Sequence, residues 1–419
     1  MQLDSPPNAI DWQQTILNEK TINPLAARTG FGERNRKLTP FRFLMAIVFG
    51  FGVERERTLA GLQRFFVAIT GISVVSSAFQ TRFTPEAVTF FKAVYEDLLT
   101  RLPNSGGLPM GLQRFKDVLA VDGSVISLKD KLCRKFKACR TNVTKAAAKL
   151  HAVMSLSTAA ITDLDIRSER YSERRFFKKL IPEFSGRLLL FDLGYFKHAF
   201  FERLAKMGAF FVSRLKDSSN PFLIEVTRGI RNKKAAVGTR LDDNDFEGPV
   251  FEALVSLGKS GGRVFRLVGI RFPGTNEYRF YLTNLLGLEF SAEDIAAIYT
   301  RRWQIELLFK ELKGICRIDD LPSSKPNTVL CLIYASLIAL LVSRLMKVAT
   351  EQQKATTKPI RRTVVSKLLG QHAMAFAKAI LSGVAAFQAK VAEFVAIAAA
   401  LAADPNLKRA PSRLGVAMY

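Results

Sequence analysis

The chain has 419 residues, 48% of them hydrophobic and 24% charged, which suffices for two or three cored domains and excludes a disordered composition. Lysine and arginine number 62 against 37 acids, and the net charge of +25 indicates a polyanionic partner, either nucleic acid or an anionic membrane surface. With four cysteines that form no CxxC pair and three histidines, we expect neither a disulfide framework nor a structural zinc site.

The N-terminal sequence and one apolar run decide the expected compartment. The first seven residues, MQLDSPP, lack the basic start and apolar core of a secretory leader. The run Val329–Ser343 is apolar for 15 residues and then meets Arg344 and Lys347. Because a bilayer requires roughly 20 such residues, the run predicts a buried core helix. We therefore expect a cytoplasmic protein that does not span a membrane.

The first 112 residues have a helical pattern. Thr39-Pro40 and Thr84-Pro85 each match an N-cap followed by proline at the first helical position. After Thr84, apolar residues recur at helical spacing and form one face. This region, residues 1 to about 112, is therefore predicted to be helical.

The pattern changes at Phe115. Val118–Val121 is a short apolar run followed by Asp122, and Leu188–Phe191 is a second one followed by Asp192. Such runs predict buried strands, each ending at an aspartate. Further strands are predicted within 150–166 and at 209–215, with a helix over 197–207. Strands with helices nearby indicate an α/β sheet protein.

Between residues 216 and 285 the pattern is one of strands and turns. Four apolar or alternating runs, at 222–226, 250–257, 264–272 and 278–285, are separated by glycines and by Asn/Asp clusters. This segment is predicted to be a β-rich insertion.

After the insertion the chain becomes helical again. Ser291 is a predicted N-cap and Gly314 stands where a helix would end, so that one continuous helix is predicted over 292–313. This helix carries Glu306.

The residues around Glu306 form a charged face on that predicted helix. At about 100° per residue, the side chains within roughly 40° of Glu306 are those of Tyr299, Arg302, Lys310 and Lys313. Taken alone, the same pattern suits a surface helix with ion pairs four residues apart.

Three acids from separate elements give this face a second interpretation. Asp122, Asp192 and Glu306 together supply the oxygen ligands that Mg²⁺ or Mn²⁺ prefers. Two such ions can activate an attacking oxygen and stabilise a leaving one in phosphodiester chemistry. Because crowded carboxylates repel each other, at least one should have a raised pKa without a cation.

Four of these residues carry a resemblance to a known family. Tyr299, Arg302, Glu306 and Lys313 match the Y-x2-R-x3-E-x6-K signature of the insertion-sequence-four family of DDE transposases. The segment 121–124, VDGS, resembles the family's first-Asp motif, and 191–195, FDLGY, resembles its second. The resemblance covers residues from about 120 to 315.

The resemblance implies a fold and a set of site residues. The fold would be an RNase H-like catalytic core interrupted by the β-rich insertion. Asp122, Asp192 and Glu306 would be catalytic and would ligate two Mg²⁺ or Mn²⁺ ions. The predicted DNA contacts are Tyr299, Arg302 and Lys313, which the family uses near the cleaved end, together with Trp303 and Lys310 on the same face.

The resemblance also implies cut-and-paste transposition through hairpin-ended intermediates. The partners would be double-stranded DNA, as terminal inverted repeats and target, and a second copy of the chain in a homodimer on paired ends. The protein would then be bacterial and associated with the nucleoid. The predicted regions are 1–112, helical and DNA-binding; 113–215, first part of the core; 216–285, insertion; 286–346, second part of the core with the Glu helix; and 347–419, helical and a candidate for dimerisation.

Other functions stay open at this level. A metal-dependent DNA nuclease without strand transfer and a non-catalytic DNA-binding relic of a transposase would both share this sequence pattern. Ser124 has no histidine in a recognisable triad context, which disfavours a serine hydrolase. A glycosidase could use two of the carboxylates, but the strong positive charge disfavours a neutral sugar substrate.

Overall fold

The protein is described here by a computed structural model covering residues 17–32, 37–53, 57–102, 108–139, 142–171, 181–258, 262–287, 289–352 and 358–404. In these residues the chain forms one nine-stranded sheet with helices packed against it. The predicted mixed α/β class is therefore confirmed.

The strands form a mixed sheet in the order β3-β2-β1-β4-β5-β9-β8-β7-β6. The strands are β1 (Val118–Leu128), β2 (Ala146–Ser155), β3 (Ala160–Ser168), β4 (Leu188–Phe191), β5 (Phe210–Arg214), β6 (Phe222–Arg228), β7 (Val250–Ser256), β8 (Val264–Arg271) and β9 (Tyr278–Thr283). Strands β1, β4 and β5 run parallel to one another, and every other neighbouring pair is antiparallel.

Helices precede, interrupt and follow the sheet. They are α1 (Glu19–Arg28), α2 (Pro40–Ile47), α3 (Leu59–Thr70), α4 (Ser76–Gln80), α5 (Pro85–Arg101), α6 (His198–Lys206), α7 (Lys233–Ala236), α8 (Ala292–Thr300), α9 (Trp303–Gly314), α10 (Pro326–Gln352), α11 (Arg362–Gln371), α12 (Ala373–Ser382) and α13 (Val384–Leu401). The predicted N-caps are confirmed, since Thr39 and Thr84 each accept a hydrogen bond from the backbone N–H three residues on.

The four strands of the predicted insertion continue the same sheet. Strand β9 pairs with β5, and β8, β7 and β6 follow it in that order, so that these four strands extend the sheet on one side. The extension ends just before α8 and thus brings the chain back beside β5.

The prediction that Asp122 ends its strand is wrong. Strand β1 continues to Leu128 because its antiparallel pairing with β2 runs the whole way, from Leu119 to Leu128. The parallel pairing with β4 does stop early, at Val121 opposite Phe191. Asp122 therefore lies inside β1, one residue beyond the last pair with β4.

The prediction of one continuous helix over 292–313 is also wrong. The chain forms two helices, α8 and α9, separated by a turn at Arg301 and Arg302. Ser291 is the predicted N-cap, and with Asp294 it forms a capping box. At the end of α8, the Thr300 hydroxyl donates to the Ala297 carbonyl at 2.7 Å, a local bond that competes with helix continuation.

Helix α10 lies at the centre of the larger hydrophobic core. It packs against α5, α11 and α13 and against the π-helical turn Val48–Gly52. A Cβ at Gly52 would lie 2.7 Å from the Cβ of Ala339, so that only glycine permits this approach. The core also includes the inner face of β1 and β2. This shared core thus joins the N-terminal helices to the sheet.

Two of the described helices, α10 and α13, are long and apolar enough to cross a membrane by length and composition alone. In α10, 94% of the most apolar 18-residue stretch is buried inside the protein, whereas in α13 the fraction is 33%. Helix α10 contains the run Val329–Ser343 and is buried as a core helix would be.

Candidate active site

The sheet brings two aspartates to the same edge. Val121 and Phe191 are the last parallel pair of β1 and β4. The residue that follows each of them in the chain is an aspartate, Asp122 inside β1 and Asp192 just after β4. Neighbouring strands lie about 4.8 Å apart, so that the two side chains emerge close together. Asp192 leaves β4 directly and begins a short 3₁₀ turn, Leu193–Tyr195.

Asp122 lies in a largely buried position at this edge of the sheet. Its side chain is 21% exposed, and the Gly123 N–H donates to one carboxylate oxygen at 2.7 Å. The pKa of Asp122 is raised to about 6, chiefly by burial and also by the charges of Asp192 and Glu306, against the lowering effects of the Gly123 hydrogen bond and the Arg302 charge. The charges of the other two acids therefore both act on Asp122.

Arg302 links the third acid to the first. Its guanidinium lies in the turn between α8 and α9, 3.4 Å from the Oδ2 atom of Asp122, and it also pairs with Glu306. Burial alone would lower the pKa of Arg302, but Tyr299 and the acids raise it. The guanidinium is thus a fixed cation between two carboxylates.

Tyr299 lies behind Arg302 and is almost fully buried. Its ring lies 5.7 Å from the guanidinium carbon of Arg302 and 5.2 Å from the ring of Tyr281. Burial, with the charge of Asp192, raises the pKa of Tyr299 to about 12 despite the opposing charge of Arg302. The hydroxyl is therefore neutral at physiological pH and can serve only as a hydrogen-bonding group.

A cleft of about 390 Å³ opens beside these acids. Its walls are formed by Asp122, Gly123, Ser124, Glu306, Phe309, Lys310 and Lys313. Two lysines therefore line the same cleft as two of the acids. Asp192 does not line it, although its charge acts on Asp122.

The remaining predicted DNA contacts differ in how they are held. Trp303 is 47% exposed, and the Lys310 ammonium lies 4.7 Å from the centre of its ring. Lys313 donates to the Val125 carbonyl of β1 at 2.8 Å, so that it ties the end of α9 to the strand that carries Asp122. Trp303 and Lys310 form the open rim of the site, whereas the Lys313 ammonium already has one partner, the Val125 carbonyl.

The donor chemistry fits a divalent cation, but the arrangement is not a formed metal site. Carboxylate oxygens are the ligands that Mg²⁺ and Mn²⁺ prefer, and the pKa of Asp122 is raised by burial and by its two acidic neighbours, both of which a bound cation would offset. Within the described ranges, however, no three His, Cys, Asp or Glu side chains are grouped closely enough to hold a metal ion. Arg302 lies between two of the acids instead.

Sequence reasoning missed two features of this site. Helical spacing predicts that Arg302 lies beside Glu306 but not that it reaches Asp122, because that contact depends on the turn that interrupts the helix. The buried pair of Glu311 and Arg344 behind the site was also missed. A charged residue in each of two apolar helical stripes was the available signal for that pair.

The family is shown by its sequence profile. The family described as "Transposase DDE domain" matches residues 113–342, which is more than half of the chain and contains all three acids. This chain belongs to the DDE transposase family. The predicted resemblance is thereby confirmed.

Curated relatives extend the match beyond that region. The transposase for insertion sequence element IS1151 of Clostridium perfringens is 25% identical over 368 residues, covering 78% of this chain and 77% of the relative. The transposase for IS231B of Bacillus thuringiensis subsp. berliner is 20% identical over 366 residues, with the same two coverages. The putative transposase InsL for IS186A of Escherichia coli K12 is 37% identical over 86 residues, covering 20% of this chain and 22% of the relative.

A solved structure supports the fold. The piggyBac transposase in a synaptic complex with hairpin DNA is similar over 92% of this chain and 82% of the piggyBac chain, with a TM-score of 0.50 and 9% identity. At this identity the similarity concerns the fold alone.

Proposed function

We propose that this DNA transposase moves an insertion sequence by cut-and-paste transposition, using Asp122, Asp192 and Glu306 as its catalytic acids. Each step would exchange one phosphorus–oxygen bond for another. One site could therefore perform nicking, hairpin formation, hairpin opening and strand transfer in turn.

One observation carries this proposal. Asp122 and Glu306 come from a strand and a helix far apart in sequence, yet both contact Arg302, and the charge of Asp192 acts on Asp122. The family match contains all three. A cluster of acids that perturb one another inside a cleft is a frequent property of catalytic sites.

The same three acids would hold the divalent ions, two Mg²⁺ or Mn²⁺. When bound, such ions supply activation of the attacking oxygen and stabilisation of the leaving oxygen. Arg302 at present compensates Asp122 and Glu306, and with DNA bound we expect it to contact a phosphate instead. A planar guanidinium suits both carboxylate and phosphate oxygens.

The rim of the cleft would orient the DNA. Lys310 and Lys313 face it from one side, and the exposed Trp303 lies beside Lys310. Lysine contacts with phosphates supply affinity and salt dependence, whereas an exposed aromatic ring can stack on an unpaired base. The buried hydroxyl of Tyr299 would hold Arg302 or a phosphate by hydrogen bonding.

The rest of the chain would supply recognition and assembly. The helical region 1–112 would read the terminal inverted repeats, and 347–419 would join two copies on paired ends. The core would be RNase H-like, with 113–215 and 286–346 separated by the insertion 216–285. The positive charge of +25 suits DNA in the bacterial cytoplasm.

The test is Mg²⁺-dependent cleavage of a labelled duplex that carries the terminal sequences flanking the gene. Asp192→Ala is run in parallel, since it removes one acid without changing the lysine rim. We expect hairpin products from the unchanged protein and none from Asp192→Ala.

Two other results would replace the proposal. Equal DNA binding without cleavage in both proteins would mean a non-catalytic relic. Random nicks without hairpins would mean a nuclease that does not transfer strands.

A further inference from the structure

A buried ion pair lies on the opposite side of α9 from Glu306. Glu311 and Arg344 are both almost fully buried, and the Arg344 guanidinium donates to both carboxylate oxygens of Glu311, at 3.1 and 2.5 Å. The Ser366 hydroxyl donates to Glu311 as well, and Ser343 lies 2.6 Å from Ser366. The carboxylate is therefore satisfied from two other helices, α10 and α11.

The position of Glu311 on the helix decides what this pair can do. Glu311 follows Glu306 by five residues, which places it about 140° around the axis and about 7.5 Å along it. Glu306 faces the cleft, while Glu311 faces the helical core. Holding Glu311 thus sets the rotation of α9 and, with it, the direction of Glu306.

Arg344 also reaches the sheet. Its Nε donates to the Ala159 carbonyl at 3.4 Å, in the turn between β2 and β3. Strand β2 pairs with β1, with Ala152 opposite Asp122. One guanidinium therefore contacts the helix that carries Glu306 and a turn joined to the strand next to Asp122.

A second polar contact holds the first turn of α9. Arg362 of α11 donates to the Gln304 side chain at 2.7 Å, two residues before Glu306. Helix α9 is thus fastened at Gln304 and at Glu311, on both sides of Glu306. Apolar packing alone is non-directional, whereas these bonds fix a rotation.

We propose that Glu311 and Arg344 are positioning residues, whose buried ion pair holds Glu306 in register with Asp122. This inference rests on the proposed function, because it assigns a purpose to the alignment of two proposed catalytic acids. It requires that loss of the pair reduce cleavage and cation binding without reducing DNA binding.

The test uses the double variant Glu311→Leu/Arg344→Met, which replaces the pair by apolar side chains so that neither partner stays buried without the other. Arg362, whose charge Glu311 also offsets, keeps its hydrogen bond to the Gln304 side chain. Single-turnover cleavage with Mg²⁺, DNA affinity, Mn²⁺ binding by electron paramagnetic resonance and thermal unfolding are measured on the full chain. We expect cleavage to fall at least about tenfold and Mn²⁺ to bind more weakly, with DNA affinity within about twofold.

Two further variants separate positioning from a merely structural role. Lys347→Met/Glu351→Leu removes an ion pair from the same helix, α10, and should cleave within about twofold of the unchanged protein. Arg344→Lys keeps the charge but cannot make two parallel bonds, and should cleave at an intermediate rate with unchanged DNA affinity. If the double variant fails to fold, the cleavage rate of Arg344→Lys tests the positioning role instead.

The proposal is overturned if a folded double variant, or Arg344→Lys, cleaves and binds Mn²⁺ as the unchanged protein does. If the unchanged protein itself does not cleave, the proposed function fails. The Mn²⁺ comparison then still tests the positioning inference separately.

Discussion

The two faces of α9 treat their charges in opposite ways. On the cleft face, Glu306 and Asp122 share one guanidinium, and the pKa of Asp122 is raised to about 6. On the core face, burial would raise the pKa of Glu311, but Arg344 and Ser366 together lower it below its ordinary value. The effect of burial is therefore not offset by the neighbours of Asp122, whereas the neighbours of Glu311 offset it completely.

Within this one helix of 12 residues, the cleft face is thus suited to binding a ligand and the core face to holding the fold. Under-compensated acids lower stability and gain free energy from a cation, whereas a satisfied buried pair fixes a geometry and gains nothing from a ligand. We therefore expect the same substitution to affect cleavage more than stability on the cleft face, and to lower stability much more on the core face than on the cleft face.

The largest expected effect is on the cleft face. Glu306→Ala should reduce DNA cleavage by at least about 10³-fold, equivalent to about 4 kcal/mol, because it removes one of three proposed metal ligands. DNA affinity, measured by filter binding, should change by less than about twofold.

Asp319→Ala is the control for that change, since it removes an exposed acid beyond the end of the same helix. It should leave cleavage unchanged. Normal cleavage by Glu306→Ala would remove Glu306 from the catalytic set.

The next effect is on the core face. Glu311→Gln leaves Arg344 buried without its counter-charge and should lower the free energy of unfolding by about 3–5 kcal/mol. Glu306→Gln, the same substitution on the cleft face, should change it by less than about 1 kcal/mol because that pair is partly exposed. Urea unfolding of both variants measures the difference. Equal losses would mean that the two faces do not differ in compensation.

A smaller effect is expected at the rim. Lys310→Ala should weaken DNA binding to all sequences alike and reduce the slope of log affinity against log salt by about one. Lys378→Ala, an exposed lysine on α12, should leave the slope unchanged. An unchanged slope for Lys310→Ala would place the DNA backbone elsewhere.

The smallest effect is on acid stability. Because the pKa of Glu311 is lowered in the folded state, its ionised form contributes stability above the ordinary value of 4.5, and this contribution is lost as the pH falls through the folded pKa. The unchanged protein should therefore lose more stability than Glu311→Leu/Arg344→Met on acidification below 4.5. Parallel losses in thermal scans would show that Glu311 is not held in this way.

The sequence predicts the elements better than their ends and junctions. Apolar runs predict β4 and the four strands of 216–285, because buried strands need such residues. The interruption at Arg301 and Arg302 escapes prediction, since no glycine or proline marks it. It is accompanied by the local Thr300–Ala297 bond and by the long-range contact of Arg302 with Asp122.

The composition of the candidate site is readable from the sequence, but its mutual geometry is not. Residue types and spacing identify Glu306 with its neighbours. Nothing local indicates that Lys313 bonds to Val125. The apolar surroundings of Glu311 and Arg344 indicate that each charge needs a partner but do not identify that partner, because the contact joins segments that are distant along the chain. Such pairs are decided by packing.

The central claim is that Asp122, Asp192 and Glu306 bind the same cations. Iron-directed cleavage of the polypeptide tests it directly, since Fe²⁺ with ascorbate and peroxide cuts the backbone beside the bound ion. We expect cuts near residues 122, 192 and 306 together, competed by Mg²⁺ and weakened at all three positions by Glu306→Ala. Cuts at one segment alone, or cuts that Glu306→Ala leaves unchanged, would contradict a shared site.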